Sequence, residues 1–467
     1  MAQRRRRKGK RARVTKRQLI VVLVVSTLFL VCLVVDCGRR GLFQQKKAVR
    51  QELGSEKVEN SKPVKSRDDN RIRVLLTENG IYHSTVSVIG TKTMTVKMGS
   101  RTSSYAKGKT LSLSLEDVKA SGKKVTVTCP DGRLRVTSIQ KGGRRPSYRG
   151  SIRIVWNKNG ILLINELSLR EYLYCVVPSE MPSSYPLEAL KAQAVCARSF
   201  AWAQMKSDSY KKYGADVDDT TAFQVYNNIG ENKQSRRAVD STAGEMVCSG
   251  NRVITTYYYS TSWGCSATAQ EAWGGENRIS LYPCRLQSDS SKGDASPDLS
   301  DETAFYRFMT GDGDTYDAGS DWYRWSMRIS AKQLGARLGI GKVKKLLILE
   351  RGKSGLLKRV RAVGSRGRLT LEGQEEIRQY LMVPGIQIER KKNGDKTTLS
   401  MLPSAAFLVN DGVKDGEVVF TLLGGGLGHG VGMSQNGAAD MAKQGKNYRQ
   451  ILKHYYSHSE VRSQASP

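Results

Sequence analysis

Histidine is scarce in this sequence, and the cysteines are not spaced as metal ligands are. Only four histidines occur, and the eight cysteines are scattered along the chain without any C-x-x-C pair. Structural zinc sites need closely spaced sulfur and nitrogen ligands, so no metal framework is indicated. Disulfides and buried free thiols both remain open for the cysteines, because spacing alone does not give their pairing.

Several repeating and catalytic patterns are also missing. The 45 glycines follow no triplet period, no long heptad run occurs, and no G-x-S-x-G sequence is present. Collagen-like, coiled-coil and α/β-hydrolase classes are therefore disfavoured. Hydrophobic residues make up 39% of the 467 residues. That share is enough for a packed core, and the length allows two or three domains of roughly 100–200 residues.

Acidic residues are few compared with basic ones. The chain has 76 Lys and Arg against 43 Asp and Glu, a formal net charge of +33. Residues 1–36 account for nine of these charges, with ten basic residues and Asp36, which leaves +24 on residues 37–467. Such a surface would attract phosphate-rich wall polymers, anionic lipids or carboxylated glycans, although it would also serve solubility alone.

A charge-free apolar segment, residues 19–35, follows the basic cluster. Its length is at the short end of the roughly 17–25 residues that span a bilayer as a helix. A cleaved signal peptide is the alternative, but the run is long for one and Val34-Val35-Asp36 offers no small-residue cleavage site. We expect a single-pass cell-membrane protein with a cytoplasmic N-terminus and the remainder outside. The apolar run argues against a nucleic-acid-binding arm, so no nucleic-acid partner is expected.

The rest of the chain predicts a mixed α+β fold that is rich in β-strands. Residues 152–156 and 161–164 flank an Asn-Gly turn and predict a β-hairpin. Residues 186–206 predict a helix whose apolar residues cover most of its circumference, which is typical of a buried central helix. The remaining predicted elements are a β-rich stretch at 325–400 and helices at 435–443 and 448–456.

Three blocks of sequence are candidate functional segments. They are residues 171–198, residues 259–275 and residues 428–438. The glycines of residues 424–430 do not form a dinucleotide-binding loop, because no βαβ unit follows them. Close approach to a polymer ligand, or tight turns, explains these glycines. The third block also carries a polar cluster on a loop that enters a predicted helix, made of His429, Ser434 and Gln435.

Two charged residues of the first block are candidates for chemistry. Glu180 follows the apolar residues 176–178 at a predicted strand-to-helix junction. Partial burial there would raise the pKa of its carboxyl group, as a general acid requires, whereas exposure would make it an ordinary turn residue. Arg198 lies on an otherwise apolar helix, where a buried guanidinium needs an anionic partner. That partner would be a bound ligand or, in a structural salt bridge, Glu180 or another acid.

These blocks resemble the SpoIID/LytB family of bacterial cell-wall proteins. The resemblance rests on Tyr172–Phe200, which contains PSEMP and EALKAQAV, and on Gly428–Ala438, which reads GHGVGMSQNGA. It implies a lytic transglycosylase that cleaves peptidoglycan glycan strands lacking stem peptides, in engulfment during sporulation. The alternative is a non-catalytic, glycan-binding enhancer of an N-acetylmuramoyl-L-alanine amidase. The partners that the resemblance implies are the amidase SpoIIP and the membrane protein SpoIIM.

The resemblance also implies roles for individual residues. Glu180, in PSEMP, would act as acid and then base, while the C6 hydroxyl of the sugar itself attacks and leaves a 1,6-anhydro end. Five other residues match family positions and would bind the glycan, namely Gln193, Arg198, His429, Ser434 and Gln435.

The sequence departs from the family where some members coordinate zinc. Tyr259 stands at a position that is often histidine, Trp263 replaces a glycine, and Cys265 has no neighbouring histidine. We therefore expect no metal and no cofactor. Pairing of Cys265 with Cys248 or Cys284 stays open.

The resemblance covers residues 150–285 and 415–457 and suggests a division of the chain. The predicted regions are a basic tail with a transmembrane anchor (1–36), a linker (37–71), a β-rich N-terminal region (72–147), a SpoIID-like core in two parts (148–300 and 411–467), and a β-rich insertion between those parts (301–410).

Overall fold

Antiparallel strand pairs organise most of the chain, in agreement with its β-rich sequence. The computed structural model describes residues 71–77, 80–122, 124–141, 143–227, 229–274, 281–289, 296–311 and 313–463. These residues all fall within one unit of the chain, Lys57–Pro467.

The strands and helices have the following bounds. The strands are β1 (Arg71–Leu75), β2 (Thr85–Gly90), β3 (Met94–Met98), β4 (Arg101–Tyr105), β5 (Thr110–Ser114), β6 (Lys124–Thr128), β7 (Leu134–Val136), β8 (Ser147–Tyr148), β9 (Ser151–Asn157), β10 (Gly160–Ser168), β11 (Val217–Asp218), β12 (Glu245–Ser249), β13 (Arg252–Val253), β14 (Tyr258–Tyr259), β15 (Trp325–Ser330), β16 (Val343–Arg351), β17 (Leu357–Gly364), β18 (Arg368–Glu372), β19 (Ile388–Arg390), β20 (Lys396–Thr397), β21 (Phe407–Lys414), β22 (Glu417–Gly424), β23 (Met433–Ser434) and β24 (Glu460–Ser463). The α-helices are α1 (Leu115–Ala120), α2 (Leu169–Glu180), α3 (Leu187–Met205), α4 (Lys233–Ser241), α5 (Ala269–Trp273), α6 (Glu302–Thr310), α7 (Ala331–Leu338), α8 (Gln374–Leu381), α9 (Gln435–Lys443) and α10 (Tyr448–Tyr455).

The largest sheet has seven strands in the order β11-β1-β10-β9-β6-β3-β4. Its middle contains the predicted hairpin, in which β9 and β10 pair antiparallel with Asn157 opposite Gly160. The hairpin prediction is therefore confirmed. Most residues of β10 are buried, and this strand leads directly into α2.

Helix α2 begins with a capping box. The Ser168 hydroxyl accepts the backbone N–H of Glu171, and the Glu171 carboxylate accepts the backbone N–H of Ser168. This arrangement starts a helix as soon as β10 ends. The sequence had predicted that Glu180 follows a strand; it is instead the last residue of α2.

Helix α3 is the buried central helix that the sequence predicted. It spans Leu187–Met205, against a prediction of 186–206, and most of its residues are buried on all sides. Small side chains, such as Ala192 and Ala197, let α2, α4, α9 and α10 pack closely around it. Pro186 is the N-cap rather than the first helical residue.

A second β-rich part follows α6. Strands β20-β19-β15-β22-β21 form a five-stranded sheet, and β16-β17-β18 form a three-stranded one. Helices α7 and α8 were not predicted; Ser330 and Gln333 start α7 with a capping box directly after β15. Two predicted region boundaries, after residues 147 and 410, fall inside β8 and β21. The division into regions remains a prediction.

The predicted N-terminal transmembrane helix, and the single-pass membrane localisation that depends on it, are corrected here. Segment 19–35 lies outside the described residues, and no helix within them is long and apolar enough to cross a membrane. The longest of these helices, α3, carries Glu188, Lys191 and Arg198. It is built for burial inside the protein, where polar partners satisfy these charges.

Candidate functional site

The three sequence blocks come together around α3. Strand β14, from the second block, pairs in parallel with β23, from the third, so that Tyr258 lies opposite Met433. A buried apolar cluster joins Ala192 and Val195 of α3 to Met433 and Ala438. These contacts place the start of α9 beside the end of α2, where Glu180 lies.

Glu180 lines a cleft of ≈ 430 Å³. The backbone N–H of Val225 donates to its Oε1 at 2.6 Å, and the side chains of Tyr258 and Gln435 also hydrogen-bond to its carboxyl group. Burial raises the pKa of Glu180 to about 7, while these hydrogen bonds pull the pKa in the opposite direction. At neutral pH the group is thus divided between acid and carboxylate.

Two further side chains fix the orientation of Tyr258. The Gln224 amide donates to the Tyr258 hydroxyl at 3.0 Å, and the Tyr172 hydroxyl donates to the Gln224 carbonyl oxygen at 3.2 Å. Burial is the first cause that raises the pKa of Tyr258 well above its usual value, followed by the charge of Glu180. At neutral pH Tyr258 is therefore a neutral hydroxyl that can donate a hydrogen bond.

Gln193 and Gln435 form a pair behind Glu180. The Gln435 amide donates to Gln193 Oε1 at 3.4 Å, and Gln435 itself reaches both the cleft and the Glu180 carboxyl group. Gln193 is fully buried. Of the five predicted glycan-binding residues, Gln435 alone lines the described cleft, and Gln193 supports it from within.

Arg198 is not among the residues that hydrogen-bond to Glu180. Its guanidinium donates to the backbone carbonyls of Val239 and Glu245, each at 3.1 Å, and it is buried with 5% of its surface exposed. These carbonyls lie at the end of α4 and the start of β12, and a cation is favourable at the negative end of the α4 dipole. Arg198 thus joins α3 to these two elements, and the salt bridge with Glu180 that the sequence left open is not formed.

Ser434 supports α9, whereas His429 lies among aromatic rings. The Ser434 hydroxyl caps α9 by accepting the N–H of Gly437 at 3.2 Å, and it donates to Asp317. Burial raises the pKa of Asp317 to about 7, against the opposing effect of its hydrogen bond with Ser434. The ring of His429 is surrounded by Tyr257, Tyr259 and Trp273, with centroids 5.0–6.3 Å away.

The second sequence block contains the thiol of Cys265, which lies beside a second thiol. Cys265 and Cys284 place their sulfur atoms 3.9 Å apart, so Cys284 rather than Cys248 is the neighbour of Cys265. Within the described ranges, no group of three or more His, Cys, Asp and Glu residues is arranged to hold a metal ion.

Sequence reasoning missed two of the groups that contact Glu180. Val225 contributes only its backbone N–H, so its side chain carries no signal. Tyr258 immediately precedes the second block and lies between Tyr257 and Tyr259. Successive side chains of a strand point to opposite faces, so one of these tyrosines would face the site, and this was the available signal.

Comparison with known proteins identifies the family. Residues 157–248 match the model of the SpoIID family, described as a stage II sporulation protein. Residues 267–432 match a domain of unknown function, DUF8618. Residues 157–248 thus match the SpoIID family that the sequence motifs predicted.

Relatives in two Bacillus species cover much of the chain. Stage II sporulation protein D of Bacillus subtilis (strain 168) is 28% identical over 317 residues, which are 64% of this chain and 75% of that protein. The protein of the same name in Bacillus amyloliquefaciens is 27% identical over 312 residues, again 64% of this chain and 75% of the relative. An amidase enhancer of Bacillus subtilis (strain 168) is 30% identical over 289 residues, which are 60% of this chain but 39% of that protein.

Proposed function

We propose that this protein is a peptidoglycan lytic transglycosylase that cleaves glycan strands from which stem peptides have been removed. Membership of the SpoIID family supports a cell-wall role in sporulation. One observation carries the finer proposal. The carboxyl group of Glu180 lies in a cleft with its pKa raised to about 7, which suits a group that must give and then take a proton.

In the first step, protonated Glu180 donates its proton to the glycosidic oxygen, and the bond to the leaving sugar breaks. The Val225 N–H, Tyr258 and Gln435 stabilise the carboxylate that this step creates. In the second step, the carboxylate accepts the proton of the sugar's C6 hydroxyl as that oxygen attacks the anomeric carbon. A 1,6-anhydro end results, and no second carboxylate is required.

The other predicted glycan-binding residues act at a distance from the reacting atoms. Gln193 orients Gln435 through a hydrogen bond, and Ser434 caps the helix on which Gln435 lies. His429 packs among aromatic rings, including that of Trp273. Arg198 holds α3 against α4 and β12. We propose that these four residues position the site and that Gln435 contacts the glycan.

The test compares the protein with its Glu180→Gln variant on glycan strands purified from amidase-treated peptidoglycan. The amide cannot donate an acidic proton, so we expect 1,6-anhydro products, detected by mass spectrometry, to fall at least about 100-fold, in line with the usual contribution of general acid–base catalysis. Glu116→Gln is the matched control, because Glu116 is an exposed residue of α1. Equal activity in the Glu180 and Glu116 variants would contradict the proposal.

The amidase enhancer of Bacillus subtilis favours a second candidate. In that case the chain would bind glycan without cleaving it and would stimulate an N-acetylmuramoyl-L-alanine amidase. The same experiment distinguishes the two, since added amidase activity would rise equally with the parent protein and with Glu180→Gln, and neither would give anhydro ends. The amidase SpoIIP and the membrane protein SpoIIM remain predictions as partners.

A further inference from the structure

One side of the cleft comes from outside the residues that match the SpoIID model. Residues 316 and 319–322, together with Arg390, line the cleft that Glu180 also lines. Both lie in the part of the chain that matches a domain of unknown function, residues 267–432. Residues 316–322 are referred to below as the 316–322 segment. Its role in the cleft is not explained by the acid–base chemistry of Glu180.

The 316–322 segment is anchored to the catalytic part of the molecule. Asp317, fully buried, accepts the backbone N–H of Ser262 at 2.9 Å and the hydroxyl of Ser434, the N-cap of α9. At the other end of the segment, the carbonyl of Trp322 accepts the N–H of Gly426 at 2.9 Å. The segment is therefore fixed relative to α9, whose Gln435 contacts Glu180.

Trp322 is one of three aromatic residues that line the cleft, with Tyr185 and Tyr316. Its side chain is only partly buried, and the guanidinium of Arg390 lies 5.7 Å from its ring centroid. Arg390 is itself held by Asp321 at 3.2 Å and by Asp395 at 2.5 Å. These contacts hold the indole in place before any ligand arrives, which lowers the entropy lost on binding.

A pre-positioned, partly exposed indole beside a polar cleft suits one class of ligand. The face of an aromatic ring carries negative partial charge and attracts the weakly positive C–H groups on one face of a pyranose ring, while the hydroxyl groups of the sugar turn towards the polar walls. Here those walls include Asn436 and Asp440. This proposal rests on the proposed function, which makes the cleft a glycan site. We propose that a sugar ring of the glycan strand stacks on Trp322, which acts as a platform, and that the 316–322 segment contributes to the specificity of the cleft for glycan.

The experiment measures binding without cleavage. Peptide-stripped glycan strands are titrated into Glu180→Gln protein that also carries Trp322→Ala, Trp322→Leu or Trp322→Phe. We expect Ala and Leu to weaken binding by about 10-fold, a loss of about 1.4 kcal/mol, because they remove the aromatic face. Phe keeps an aromatic face and should retain most of the binding. Trp156→Ala is the matched control, because Trp156 is 39% exposed on β9, outside the residues that line the cleft.

Each outcome decides the proposal. Binding by the Leu variant equal to that of the Phe variant overturns the platform, as does an equal loss in the Trp156 control. If both the Ala and Leu variants fail to fold in a thermal unfolding scan, Trp322 is a packing residue and the proposal is wrong. A glycan that binds through Trp322 but is never cleaved by the protein with Glu180 intact would leave the platform intact and reject the transglycosylase function.

Discussion

Glu180 owes its chemical character to what surrounds it rather than to its position in the sequence. Its carboxyl group is placed in the cleft by the last turn of α2, where burial raises its pKa and the donors Val225, Tyr258 and Gln435 limit that rise. A lone glutamate between Pro178 and Pro182 could equally have been an exposed turn residue. Burial, partly offset by these donors, brings its pKa to about 7, which is the value that the proposed role as a proton donor requires.

The pH dependence of cleavage follows from this environment. A general acid must be protonated, so cleavage of peptide-stripped glycan should fall as pH rises through about 7, the pKa of Glu180. We expect kcat/KM, measured from anhydro ends at substrate concentrations below KM, to decrease about 10-fold for each pH unit above that value. Glycan binding by Glu180→Gln over the same range is the control for unrelated pH effects. A rate that stays constant from pH 6 to pH 9 would exclude Glu180 as the acid.

Among the secondary-structure elements, helix α9 is the one on which the site depends most. Its N-terminus carries Gln435 into the cleft, and Ser434 caps it while binding Asp317. Helix α9 approaches its neighbours most closely at Gly437. A Cβ added there would come within 2.7 Å of Asp317 Oδ2 and would also collide with the Tyr455 hydroxyl. Gly437, one of the four glycines of the third sequence block, is therefore explained by packing between α9 and its neighbours.

Gly437→Ala should destabilise the protein and disturb the site together. We expect the free energy of unfolding to fall by about 1–3 kcal/mol, because the extra methyl group overpacks a filled region, and cleavage to fall as α9 shifts. Urea denaturation followed by circular dichroism measures the first effect. Gly412→Ala is the control, since no atom lies within 4 Å of the Cβ that it would add. A Gly437→Ala protein as stable as Gly412→Ala would show that α9 can move without cost.

The charge of the whole molecule offers a further test. Residues 37–467 carry a net charge of +24, and glycan stripped of its peptides carries the lactyl carboxylates of muramic acid. If the charge draws the strand to the protein, binding should weaken clearly between about 50 mM and 500 mM NaCl, as the Debye length shortens.

Co-sedimentation with insoluble peptide-stripped glycan measures this dependence, and chitin, which lacks the carboxylates, is the control polymer. Binding to both polymers with the same salt dependence would make the charge incidental to recognition.

The sequence by itself determined the family, the hairpin of β9 and β10, the limits of α3 and α9, and Glu180 as the acid candidate. These follow from local patterns, namely turn residues, apolar periodicity and motifs that are continuous along the chain. It predicted an N-terminal transmembrane helix, a part of the fold class that the described residues do not support.

Only the tertiary structure decided how the blocks meet. It drew Tyr258 and the Val225 N–H to Glu180, separated Arg198 from the cleft, and brought the 316–322 segment against α9. Such contacts join residues far apart in sequence, and a backbone N–H or a buried arginine looks the same in a sequence whatever it touches. Burial and long-range packing set both the pKa of Glu180 and the shape of the cleft, and neither is a local property of the chain.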